Sequence, residues 1–172
     1  YALTRINVTI CPNIKRNPWQ NTKLCIYHLN DLIKKMLFSI YVIINYMCSF
    51  LVTSKDINSK DLEKANFYQK LRGPDLTNIF KQHGVTFVHN LLSITGLFTK
   101  QPFVDMEHDI VCIFNGEIYN YKTFSDKYTS DGECLIPCYL KHGETFFKQL
   151  DGEFAIVLID FKNNKIIFGS DT

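Results

Sequence analysis

Cys48 directly follows Met47, so a chain that started at Met47 and lost it would carry Cys48 as its first residue. The placement matters for the thiol. With a pKa near ~8.5 a thiol is mostly protonated at neutral pH, and it gains from a base close by. A free α-amino group, pKa about 7.7–8.0, is partly neutral near pH 7 and can take that proton. A leading cysteine therefore supplies attacking sulfur and base together, whereas an internal one has an amide nitrogen that cannot act as a base. Further along, Asn115-Gly116 closes an apolar run. A strand ending in Asn-Gly can aim a side-chain amide and a backbone N–H into one cavity, as a developing oxyanion requires; read alone, the pair is more simply a turn. Glu117 and Asp131 add carboxylates, whose simpler readings are a surface charge and a helix N-cap.

These residues belong to an ordered series of short motifs: Met47-Cys48-Ser49-Phe50, Arg72-Gly73-Pro74-Asp75, Leu92-Ser93-Ile94, Asn115-Gly116-Glu117-Ile118-Tyr119-Asn120, Asp131-Gly132-Glu133 and Leu150-Asp151-Gly152. In this order, over 47–172, they resemble the glutamine-hydrolysing domain of asparagine synthetase, an N-terminal nucleophile hydrolase. The resemblance implies an α+β domain with a four-layer αββα sandwich, here incomplete at the C-terminus, whose unclosed sheets would expose edges. It implies Cys48 as nucleophile, Asn115 and Gly116 as oxyanion donors, and Glu117 and Asp131 as ligands of the glutamine α-ammonium. Leu92, Ser93 and Ile94 would line the pocket. Where the family carries an Arg that clamps the substrate carboxylate, this chain has Leu91, which cannot make two parallel charge-assisted hydrogen bonds.

The expected activity is hydrolysis of glutamine to glutamate and ammonia, with the ammonia passing to a synthetase domain that makes asparagine. No cofactor is expected in this chain; ATP and Mg belong to the missing synthetase domain. Glutamine, a fused or separate synthetase domain and a homodimer of the full-length protein are the expected partners. As this fragment the enzyme is expected to be inactive. The rival reading is a non-catalytic remnant or regulatory binding module.

Composition narrows the rest. Residues 1–47 hold six cations against the single acid Asp31, while the remainder holds thirteen cations against sixteen acids. The cations are scattered with no aromatic platform among them, so no nucleic-acid partner is expected. Cys11, Cys25, Cys48, Cys112, Cys134 and Cys138 form no disulfide framework, and Cys134 with Cys138 lacks the further ligands zinc needs. That usage suits a reducing cytoplasm.

The elements that must position the chemistry follow from pattern. A strand is predicted over 48–53, then a helix capped by Asn58 or Ser59 with Leu62, Ala65 and Tyr68 along one face. Strands follow over 85–89 and 109–114. A helix over 131–142 is delayed or kinked by Pro137 and closed by Gly143, and a short helix covers 144–150. Strands over 153–161 and 165–169 form a hairpin.

Residues 36–52 are an uncharged run of 17. This sits at the short edge of the ~17–25 residues of a spanning helix and is diluted by Ser39, Asn45 and Ser49, so no membrane association is expected. The chain starts at Tyr1, and 1–46 are expected to be an upstream translated extension or a propeptide, poorly ordered or an apolar helix.

Overall fold

The computed structural model describes residues 48–54, 57–93 and 98–171, together with the backbone of three strands at Lys15–Arg16 (β1), Lys23–His28 (β2) and Ser39–Ile43 (β3). The fold mixes helices with two antiparallel sheets. One sheet has the order β3-β4-β6-β5, with β4 at Ser49–Thr53, β5 at Leu76–Gln82 and β6 at Val85–Leu91. The other runs β1-β2-β10-β9-β8-β7, with β7 at Phe103–Asp105, β8 at Ile110–Ile118, β9 at Gly152–Asp160 and β10 at Lys165–Ser170.

Side-chain alternation divides the core. Phe50, Val52, Val85 and Phe87 from one sheet meet Val111, Ile113, Val157 and Ile159 from the other. The opposite face of β4 and β6 packs Leu51 and Val88 against Leu62 of α1, the helix Ser59–Lys70. The opposite face of β8 and β9, with Cys112, Phe114, Ile156 and Leu158, packs on α2, the helix Leu135–His142, and on the 3-10 segment Gly143–Gln149. Every residue of β4 is therefore buried.

Local signals account for most boundaries. Asn58 caps α1 by accepting the Asp61 N–H at 2.9 Å and returns a bond from Nδ2 to the Asp61 carboxylate at 2.7 Å. Asp131–Cys134 is a 3-10 turn, and α2 starts only at Leu135, which puts Pro137 in its first turn, where a missing N–H costs nothing. Gly143 ends α2 at φ +59.

Several expectations need correction. The buried face of α1 is Leu62, Asn66 and Gln69, and Tyr68 is exposed. At 3.6 residues per turn Asn66 and Gln69 lie within about 40° of Leu62, whereas Tyr68 lies about 120° away. β5 and β7 were not foreseen, because Thr77, Asn78, Lys81 and Gln82 dilute the apolar alternation of β5 and β7 has three residues. β8 continues through Asn115 and Gly116, which pair with Ala155 and Phe154 instead of leaving the strand.

The uncharged run is not one helix. Ser39–Ile43 pairs antiparallel with Ser49–Thr53, as β-branched and aromatic side chains favour. β10 and β4 are covered, since β2 pairs along β10 and β3 along β4, and the sheets end instead at β1 and β7 and at β3 and β5. Among the described residues no helix is long and apolar enough to cross a membrane.

Candidate functional site

Cys48 stands one residue before β4, in phase with Phe50 and Val52, so alternation turns it toward the space between the sheets. It is half-buried. Its Sγ accepts the Leu92 N–H at 3.2 Å and lies 3.6 Å from the Leu92 carbonyl oxygen, to which the thiol donates. Burial raises the thiol pKa; the Leu92 N–H works the other way, and the carboxylates of Asp131 and Asp75 raise it further.

The Leu92 segment is itself held. Asp75 accepts the Ser93 N–H at 2.7 Å, and its own N–H donates to the Leu91 carbonyl at 3.1 Å. Gly73 lets this loop close on β6, since a Cβ there would meet the Asn90 carbonyl oxygen at 2.1 Å. Leu92 and Ser93 are half-buried beside the thiol, while Ile94 falls outside the described residues.

The second sheet supplies the facing groups. Asn115 follows Val111 and Ile113 on the inter-sheet face of β8 and is 1% exposed, yet neither its Nδ2 nor its Oδ1 has a hydrogen-bond partner. A buried amide left this way costs about 1–3 kcal/mol, which singles it out from every well-paired polar group around it. Gly116 has φ +138, and a Cβ would lie 2.0 Å from the Glu153 carbonyl oxygen, so only glycine fits.

Asp131 is drawn to the end of β8, where Oδ2 accepts the Ile118 N–H at 2.9 Å and Oδ1 accepts the Gly132 N–H at 3.0 Å. Its pKa is raised, chiefly by burial, although these N–H groups oppose the rise. The helix N-cap reading does not hold, because Ser130 occupies the cap of the 3-10 turn and Asp131 reaches across to β8 instead. Glu117 is exposed and sits directly opposite Glu153 in the β8–β9 ladder. The structure thus holds Cys48 against Leu92, next to Ser93 in the chain, and within electrostatic reach of Asp131; Asn115 lies on the inter-sheet face of β8, Gly116 follows it, and Glu117 is exposed.

Three features escaped the sequence reading. Gln101 takes over the ladder beyond β7: its Oε1 accepts the Phe114 N–H at 2.9 Å, and its carbonyl accepts from Asn78 Nδ2 at 2.6 Å. His89, opposite Phe50 in the ladder, is 1% exposed, has no partner for Nε2, and is held neutral by burial with its pKa lowered to about 4. Asn66 and Asn90 form a reciprocal amide pair under α1. A lone Gln or Asn among polar neighbours gives no sequence signal for such roles; only pairing reveals them. The remaining cysteines of the described domain pack in the core, where burial pushes Cys134 up to about 12 and Cys138 up to about 11.

A thiol at the start of β4, with an unpartnered buried amide and an obligatory glycine on β8 of the other sheet, offers the group types that thiol-based acyl transfer uses. The chain belongs to the glutamine amidotransferase domain family, whose model matches residues 47–172. It is 33% identical over 139 residues to an asparagine synthetase [glutamine-hydrolyzing] of Asparagus officinalis, covering 73% of this chain and 23% of that protein. Asparagine synthetase [glutamine-hydrolyzing] 1 of Saccharomyces cerevisiae is 35% identical over 108 residues, 58% of this chain and 19% of the relative. The chain thus spans about a quarter or less of the length of these curated relatives.

Proposed function

We propose that this chain is the glutamine-hydrolysing part of an asparagine synthetase, folded as the αββα sandwich of N-terminal nucleophile hydrolases. Three apolar clusters, one on either side of the paired sheets and one between them, support that layering. Cys48 attacks the side-chain amide carbon of glutamine, its own free α-amine taking the thiol proton. Asn115 Nδ2 and the Gly116 N–H receive the oxyanion. Collapse breaks the C–N bond and returns the proton to the departing ammonia; water then cleaves the thioester to glutamate. Asp131 and Glu117 face the α-ammonium, and Leu92 and Ser93 border the pocket.

One observation carries this reading: the fully buried Asn115 amide keeps both polar atoms unpaired beside a glycine that admits no side chain. In the reading, ammonia leaves for a synthetase domain that uses ATP and Mg, in a cytoplasmic enzyme that pairs as a homodimer.

The chemistry needs Cys48 to lead the chain. A full-length protein begun at Met47, with Met47 removed, is expected to release ammonia from glutamine, whereas the same protein retaining residues 1–46 is not. Equal ammonia release from both would sink the amine-as-base mechanism. The rival reading, a binding module without turnover, draws on the raised thiol pKa and on Leu91. Glutamine binding by calorimetry with no ammonia from either chain would favour it.

A further inference from the structure

Behind Cys48, on the faces of β4 and β6 turned toward α1, lies a buried polar cluster whose bonds form a closed set. Asn90, 0% exposed, donates from Nδ2 to Asn66 Oδ1 at 2.8 Å and to Ser49 Oγ at 3.2 Å. Its Oδ1 accepts from Asn66 Nδ2 at 3.0 Å and from Thr77 Oγ1 at 2.9 Å. An amide side chain offers two donors and two acceptor sites, so Asn90 works at full capacity. Ser49 Oγ then donates to the Gln69 carbonyl at 2.8 Å, near the end of α1.

The cluster joins β4, β5, β6 and α1 at one point, where directional bonds fix register in a way that apolar contacts do not. Ser49 and Asn90 are ladder partners. Ser49 adjoins Cys48, and Asn90 lies two residues before Leu92, whose N–H and carbonyl hold the sulfur. A slip of one residue would push Asn90 into the apolar layer between the sheets and carry the Leu92 peptide away from Sγ.

We infer that the Asn66–Asn90 amide pair is the positioning device of the site, acting through Ser49 and through the 90–92 segment to hold the Leu92 peptide group against the Cys48 sulfur. The inference rests on the proposed role of Cys48 as nucleophile, but its test does not require turnover. The whole 172-residue chain is treated with iodoacetamide across a pH series, and alkylation of the Cys48 peptide is followed by mass spectrometry. Asn66→Ala and Asn90→Ala are expected to raise the midpoint of the alkylation profile by about one pH unit, as loss of one hydrogen bond to a thiolate predicts. Asp75 and Asp131, the charged groups that act on the sulfur, are unchanged in both variants.

Leu62→Ala is the control: it empties the same helix–sheet contact without touching the cluster, so it lowers the melting temperature and leaves the midpoint in place. If Asn90→Ala does not fold, Thr77→Val removes one bond of the cluster and Ser49→Ala two, and both read out the same midpoint. Asparagine variants that lose stability with an unmoved midpoint, or a Leu62→Ala shift of equal size, overturn the inference. A moved midpoint, where the full-length protein that starts at Cys48 releases no ammonia from glutamine, upholds the positioning and refutes the proposed reaction instead.

Discussion

The two sheets meet at the site with opposite polar economies. On the β4–β6 side the groups that hold the thiol are bonded, Leu92 to Cys48, Asp75 to Ser93, and Asn90 on all four of its positions, with His89 Nε2 and Gln69 Oε1 as unpaired exceptions. On the β8 side Asn115 is buried with nothing to bond, and Gly116 holds a conformation that excludes side chains. A satisfied network fixes position, and an unsatisfied donor is ready to bond charge that develops later. In the proposed reaction this difference separates the groups that hold the thiol in place from the groups that meet the developing charge.

The sharpest break is Cys48→Ala in the chain that starts at Cys48, for which ammonia release from glutamine falls by at least ~10³-fold while the fold persists by circular dichroism. Asn115→Leu tests the reacting side alone, with effects of opposite sign. Turnover falls by ~10²–10³, yet stability in urea rises by about 1 kcal/mol, because an unpaired buried amide has been removed. A loss of stability in that variant would mean that Asn115 is bonded in solution.

Backbone effects should differ just as clearly. Gly116→Ala is expected to cost about 3 kcal/mol, since its Cβ would sit 2.0 Å from a carbonyl oxygen. Gly84→Ala, at φ +76 in the turn between β5 and β6 with nothing within 4 Å, should cost only about 1 kcal/mol.

His89 extends the comparison to pH. Its folded pKa, lowered to about 4, lies below the ordinary histidine value of 6.5, so the unfolded chain binds more protons between them. Its contribution is fully present above pH 6.5 and is lost as pH falls toward 4, by up to about 3 kcal/mol. Urea midpoints at pH 7 and pH 5 should separate less in His89→Leu than in the parent.

Much of the frame was legible in the residues. The cap at Asn58, the delay imposed by Pro137, the stop at Gly143 and the hairpin of β9 with β10 depend on the preferences of a few neighbours, and such preferences act through the local backbone. Strand β5 was missed because its stability comes from the β6 ladder and not from its own apolar content. Tyr68 is exposed because the helical angle turns it about 120° from Leu62, whatever the apolar character of its ring.

For the site, the ordered motifs pointed to Cys48, Asn115, Gly116 and Asp131 through their resemblance to a known family, since each motif alone is weak. Whether Asn115 is a turn or an unpaired amide depends on which groups lie within hydrogen-bond reach, and distant segments decide that. So it is with Asp131, which reaches Ile118, with Gln101, which holds Phe114, and with Asn66, which finds Asn90. The sequence determined which groups are available to react. Only the tertiary structure decided which of them are bonded and which are left open, because pairing is a property of atoms brought together from residues far apart in the chain.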